Sequence, residues 1–286
     1  MYLFYVMDET PHCLPPHYNA KLIYNSCKPN ISPSAIAFDL DETIGSFSEF
    51  HSLWERLEDE MKTQEVFNDI MDLYPEFLRV GIVPVLSFIQ TKQDIGTCLP
   101  IYIYTNNQCE DVKWIERLIC YLESRVGSNH LFAKPICAFK IGNKRIEPGR
   151  TTHDKTYSDF VQCSMLKIEN LCFIDDTYHE KMRHRKVYYI KPPPYFHNLT
   201  HKQVLDRFLT SDIYRRLYPN NPIISSNINL QKKTHDNLNY EKERSITNKI
   251  LYYIREFFFI YSKKNKTKKR KHLVKCRFSR KRRHVS

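Results

Sequence analysis

The sequence predicts an α/β fold with a parallel sheet, on three observations. Three apolar runs of strand length, within Ala35–Phe38, Leu99–Tyr104 and Asn170–Ile174, are separated by stretches whose apolar residues recur every three or four positions. Strands that alternate with helices pair in parallel. Each run ends in polar side chains: Asp39 and Asp41 after the first, Thr105, Asn106 and Asn107 after the second, Asp175 and Asp176 after the third. Ligands of open parallel sheets bind beyond the carboxyl ends of the strands, so these three tips are expected to meet along one edge.

Residues 1–34 carry prolines 11, 15, 16, 29 and 33 without periodicity and read as an irregular arm or edge hairpin. Residues 35–38 are uniformly apolar, as a strand buried on both faces requires. From 47 to 74 the apolar positions Phe50, Leu53, Trp54, Leu57, Val66, Phe67, Ile70, Met71 and Tyr74 follow helical spacing, giving a helical insert after the first polar tip. Pro84 suits the first turn of a further helix. A helix carrying Val112, Ile115, Leu118, Ile119 and Leu122 follows the second strand. Lys155 opens a short helix before the third, with Lys134, Lys140 and Lys144 as rivals for a cation in the crevice. Val187 to Ile190 makes a further strand, and a helix over 201–218 presents Val204, Leu205, Phe208, Leu209 and Ile213.

Three segments complete the chain. Residues 219–244 are polar and Asn-rich, a linker. Residues 245–261 form an apolar helix interrupted by Arg255 and Glu256, which either packs back on the domain or meets a partner or a membrane surface. The tail, 262–286, holds 13 Lys and Arg and no acid.

Charge and cysteine usage bound the function classes. Of 44 Lys and Arg, 31 remain outside the tail against 32 acids, so the net charge of +12 belongs to the tail rather than the body. Such a tail is expected to be a disordered polycation, suited to an import receptor through Lys268, Lys269, Arg270, Lys271, Arg280, Lys281, Arg282 and Arg283, or to nucleic acid. The 9 cysteines are odd in number and never spaced Cys-x-x-Cys, which argues against a disulfide framework or zinc site and for a reducing, intracellular compartment, nucleus or cytoplasm. The amino terminus lacks the basic start of a signal peptide, and no run approaches the length of a transmembrane span.

Asp39 and Asp41 share one side of an extended chain, and two carboxylates placed so repel. A divalent cation or a shared proton relieves that repulsion. Mg2+ is the expected cofactor; a turn in which Asp41 or Thr43 merely caps a helix is the alternative. No phosphate-binding glycine loop, nucleophile elbow or His-Glu-x-x-His helix competes for the role of reaction centre.

In order along the chain, Asp39-x-Asp41-x-Thr43, Thr105, Lys155 and Asp175-Asp176 resemble the four motifs of the haloacid dehalogenase superfamily. The phrase Asp39-Leu-Asp-Glu-Thr43 and the stretch Leu78-Arg79-Val80-Gly81-Ile82 are similar to its branch of carboxy-terminal-domain and NLI-interacting-factor-like phosphatases. The Asp-Asp-x-x-His pattern ending at His179 is similar to versions in large DNA viruses. The resemblance, over 35–199, implies a Rossmann-like sheet in a phosphatase domain at 35–218. It further implies Asp39 as nucleophile, Asp41 as acid and base, Thr43 as an anchor of the motif turn, and Thr105 with Asn106 as phosphoryl donors. Lys155 would neutralise charge, and Asp39, the Asp41 carbonyl and Asp175 or Asp176 would hold Mg2+. Two departures, a helical rather than β insert and Asp-Asp where many relatives have Asp-Asn, touch substrate choice more than chemistry. The expected activity is hydrolysis of phosphoserine or phosphothreonine in a phosphoprotein. A nucleic-acid-end or nucleotide phosphatase and a catalytically silent nucleic-acid-binding scaffold are the alternatives.

Overall fold

A computed structural model describes residues 4–6, 33–107, 112–220 and 240–261 of the chain. Most of the amino-terminal arm, most of the linker and the whole basic tail with its eight candidate cations lie outside the described residues.

Strand β1, Phe4–Val6, is followed by β2, Ala35–Phe38. Helices α1, Ser48–Glu55, and α2, Gln64–Leu73, make the expected insert, with Thr63 capping α2 through its side chain on the Val66 amide. Helix α3, Ile82–Asp94, leads to β3, Tyr102–Ile103, and α4, Val112–Val126. A hairpin of β4, Lys140–Ile141, and β5, Lys144–Arg145, precedes α5, Tyr157–Ser164, then β6, Leu171–Ile174, and β7, Val187–Lys191. Helices α6, His201–Leu209, and α7, Asp212–Leu217, split the single helix expected over 201–218, because Ser211 caps a new start on the Tyr214 amide. A last helix, α8, spans 240–261. It begins inside the stretch read as linker; its polar first turn hid the start.

The sheet is parallel, in the order β1-β7-β6-β2-β3. The chain leaves β2 for β3 on one side and returns to β6 on the other, so strand order reverses at β2 and a crevice opens beyond its carboxyl end. Residues 4–6 form a parallel edge strand rather than the irregular arm or hairpin expected of that segment. Three apolar residues carry too little pattern to reveal it.

Period-two alternation splits the interior into two cores. Ile36, Phe38, Ile103, Cys172, Ile174, Tyr188 and Ile190 face α1 to α4, α6 and α8, while Ala35, Ala37, Tyr102, Leu171, Phe173, Val187 and Tyr189 face α5. Helix α8 packs back on the domain: Ile246, Ile250, Ile254, Phe257 and Tyr261 are buried in the larger core. No helix among the described residues is long and apolar enough to cross a membrane.

Cys98, Cys120, Cys163 and Cys172 are free thiols, but Cys137 is disulfide-bonded.

Candidate active site

The turn after β2 carries the first acids. The Asp39 amide donates to the Ile174 carbonyl at 2.8 Å, tying the nucleophile candidate to β6. Glu42 then takes φ +58°, a left-handed conformation that costs a non-glycine residue about 1 kcal/mol or more. Gly45 closes the turn where a Cβ would lie 2.3 Å from the Phe77 carbonyl oxygen, so only glycine fits. Beneath it lies Arg79, 1% exposed, whose Nε donates to the Thr43 carbonyl at 2.7 Å and Nη2 to those of Glu42 and Pro193 at 2.6 and 2.8 Å. Its Nη1 reaches Glu243 of α8 at 3.5 Å.

Lys155 enters the crevice from the loop before α5. Thr156, the cap of that helix, donates its amide to the Tyr104 hydroxyl at 3.0 Å and accepts from the Asp159 amide. The buried Lys155 ammonium thereby donates both to Asp39 and, at 2.7 Å, to Asp175. Lys134, Lys140 and Lys144 are exposed, so none of these rivals takes its place.

Both oxygens of Asp175 are engaged. One oxygen accepts from Lys155 and lies 3.3 Å from His179 Nε2, and the other accepts from the Thr177 amide at 2.8 Å. Asp176 is held by Thr43, whose hydroxyl donates to Oδ1 at 3.0 Å while accepting from the Asp176 amide at 3.1 Å. One oxygen from each of Asp39, Asp175 and Asp176 lies within 4.8 Å of the others, so these three carboxylates can hold a metal ion. Asp41 stands outside the triad, and its carboxylate accepts from Asn107 Nδ2 at 3.4 Å.

Burial governs the acids' protonation. It pushes Asp39 up to about 7 despite the Lys155 ammonium, with Asp175 and Asp41 adding to the rise. Burial also raises Asp41, which Asn107 only partly offsets. Asp175 goes the other way: hydrogen bonds and charge from His179 and Lys155 outweigh its desolvation and lower it. Lys155 is penalised by complete burial yet raised overall by the two acids it bridges. Glu42 is pushed up to about 7 by burial, then by Asp41 and Asp176.

Thr105 is buried at the tip of β3, its hydroxyl accepting from the Asn107 amide at 2.9 Å, which leaves the hydroxyl proton to donate. The Asn106 carbonyl oxygen accepts from Arg150 Nη2 at 2.8 Å, which orients its Nδ2 as the donor, and Asn107 is the amide that reaches Asp41. Sequence reasoning assigned no role to Arg150 or Arg79. Fully buried, Arg150 donates to the carbonyls of Thr105, Cys137 and His153 at 3.0, 2.8 and 2.9 Å, joining the tip of β3 to the loop before Lys155. Its only signal was position, beside Pro148-Gly149 and ahead of Lys155.

No family model, curated protein or solved structure matches the chain.

The donor set suits a hard cation: oxygen ligands only, from Asp39, Asp175 and Asp176, with the Lys155 ammonium bonded to the first two. Asp175 is 1% exposed and bonded to the Lys155 ammonium, whereas Asp176 is half-buried and free of that cation, so Asp176 is the better placed of the two to join Asp39 on an ion.

Proposed function

We propose that the chain is a Mg2+-dependent phosphatase of haloacid dehalogenase type that works through an aspartyl phosphate on Asp39, with phosphoserine or phosphothreonine in proteins as its substrate class. The observation that carries the reading is the buried chain of Asp39, Lys155 and Asp175 with Asp176 on Thr43, assembled from three segments far apart in sequence. A silent scaffold has no use for such a cluster, since each buried charge costs several kcal/mol of desolvation.

In the first half-reaction an Asp39 oxygen attacks phosphorus, and the bond to the leaving oxygen breaks as Asp41 protonates it. A carboxyl raised by burial is suited to carry that proton. In the second, water attacks the phosphorus, Asp41 takes the water's proton, and the phosphorus–Asp39 bond breaks to release phosphate and restore the carboxylate. Lys155 offsets charge on Asp39, Thr105 donates to a phosphoryl oxygen, and Thr43 holds Asp176 in place. Mg2+ on Asp39 and Asp176 would supply further charge neutralisation for the phosphoryl oxygens. Phosphoryl transfer needs mainly positioning and electrostatics.

A protein substrate is favoured by the resemblance and by a near-neutral body whose cations are interleaved with acids. The test compares kcat/KM of the full chain on phosphopeptides, 5′- and 3′-phosphorylated oligonucleotides and mononucleotides. Preference for phosphopeptides is expected. A hundredfold preference for oligonucleotide ends, about 2.7 kcal/mol at the transition state, would move the substrate to nucleic acid.

A further inference from the structure

We propose that the outer stripe of α8, together with Lys92 of α3, binds single-stranded nucleic acid, and so serves as a tether at the edge of the sheet remote from Asp39.

Lys92 and Arg255 are two cations on one ring. The Lys92 ammonium lies 4.9 Å from the centre of Phe88 and 5.8 Å from that of Phe258, and the Arg255 guanidinium lies 5.2 Å from Phe88. Among the described residues no carboxylate pairs with either. Asp94, the acid at the end of α3, accepts from Gln90 instead. Burial, and then Arg255 itself, lower the Lys92 ammonium. Aromatic rings recover part of that cost, but like charges set side by side without an acid form a site that an anion relieves.

The surroundings identify the anion as part of a polymer carrying bases. Arg244, Asn248, Tyr252, Arg255 and Phe259 recur at steps of four, four, three and four, and all are exposed, opposite the buried stripe of Ile246 to Tyr261. Tyr252 is 41% and Phe259 56% exposed. Cations for phosphates alternating with solvent-exposed aromatic rings for bases are what single strands require. Duplex DNA, its bases stacked inside, offers nothing to those rings. A bilayer fits less well, because the apolar residues a membrane helix would insert are packed in the core. The chain then continues directly into the 13 Lys and Arg of 262–286.

The location separates this surface from catalysis. Helix α3 starts beside the motif turn at Arg79 and ends near Thr97, whose carbonyl accepts from Ser34 before β2. Helix α8 runs the same way, from Glu243 beside Arg79, so Arg255 lies about 18 Å further along its axis, at 1.5 Å per residue. A bound strand there is held away from Asp39, which suits an anchor rather than a substrate.

The experiment uses the full chain with all 13 Lys and Arg of 262–286 changed to Gln, so that the tail cannot mask the body, and follows anisotropy of labelled oligothymidylate across a salt series. Salt-sensitive binding is expected to persist. Lys92→Gln with Arg255→Gln should weaken it at least tenfold and flatten the logarithmic salt slope by about 1.4, for two phosphate contacts on a single strand. Lys92→Arg with Arg255→Lys should retain binding, and Tyr252→Ala with Phe259→Ala should weaken binding without altering the slope. Turnover of a small phosphate ester should be unchanged in every variant. Binding that vanishes with the tail charges, or survives the double Gln change intact, overturns the proposal. So does loss of binding to phosphatidylserine vesicles on that change with oligothymidylate unaffected.

Discussion

Asp41 and Asp176 are both acids at the crevice, and the account gives them separable work. Asp41→Asn removes the proton donor while the Asp39, Asp175 and Asp176 triad stays, so turnover should fall by about 10²–10⁴-fold with Mg2+ affinity by calorimetry little changed. Asp176→Ala should lose most of that affinity. The reverse pattern would refute the division of roles. Asp39 sets the pH dependence. In metal-free protein its carboxyl is pushed from an ordinary 3.8 to about 7, so its contribution to stability is present below pH 3.8 and lost as pH rises through 7. Mg2+ needs the carboxylate, so calorimetric affinity should climb steeply up to pH 7 and level off above it; a flat profile would show that Asp39 is not a ligand. Asp39, Asp41, Thr43, Thr105 and the acidic pair were legible because each ends an apolar run of strand length. Lys155 was legible only as one of four lysines, since a cation on a loop has no periodicity to mark it. The roles of Arg79 and Arg150 were invisible, because a buried arginine serving backbone carbonyls looks in sequence like any surface arginine.

Among the elements, the strands and the helical insert could be read from period-two and period-3.6 patterns, and they stand where those patterns put them. The β4–β5 hairpin and β1 could not: two- and three-residue strands hold less than one full alternation. Helix α8 was legible from 245, where Ile246, Ile250, Ile254 and Phe257 begin their stripe, but its first turn was not. That turn supplies Glu243, so α8 braces the turn after β2 through Arg79. Arg79→Met would orphan the carbonyls of Thr43 and Pro193 at about 1–3 kcal/mol each, that of Glu42 keeping the Tyr195 amide, and is expected to lower both the urea midpoint and kcat. Glu243→Gln should cost much less, since three of the four contacts of Arg79 persist. Equal losses in the two variants would mean that α8, and not the arginine, holds the turn.

At the scale of the whole molecule, an open parallel sheet reverses its order at β2 and gathers side chains from the tips of β2, β3 and β6 and from the loop before α5 into one crevice. The fold class was legible because alternation of strand and helix dictates it. Convergence of the motifs was legible only as a consequence of that class. If the chain is a metal-dependent phosphatase, EDTA should abolish ester hydrolysis and Mg2+ restore it, with the tail irrelevant to small esters. The covalent intermediate is the most direct test. The full chain is mixed with Mg2+ and a phosphoryl-labelled ester, quenched in acid during the first turnovers, digested and mapped. The account expects hydroxylamine-labile label on the peptide carrying Asp39 and none in Asp39→Asn; turnover in the wild type with no label at that peptide, or undiminished turnover in Asp39→Asn, would contradict it.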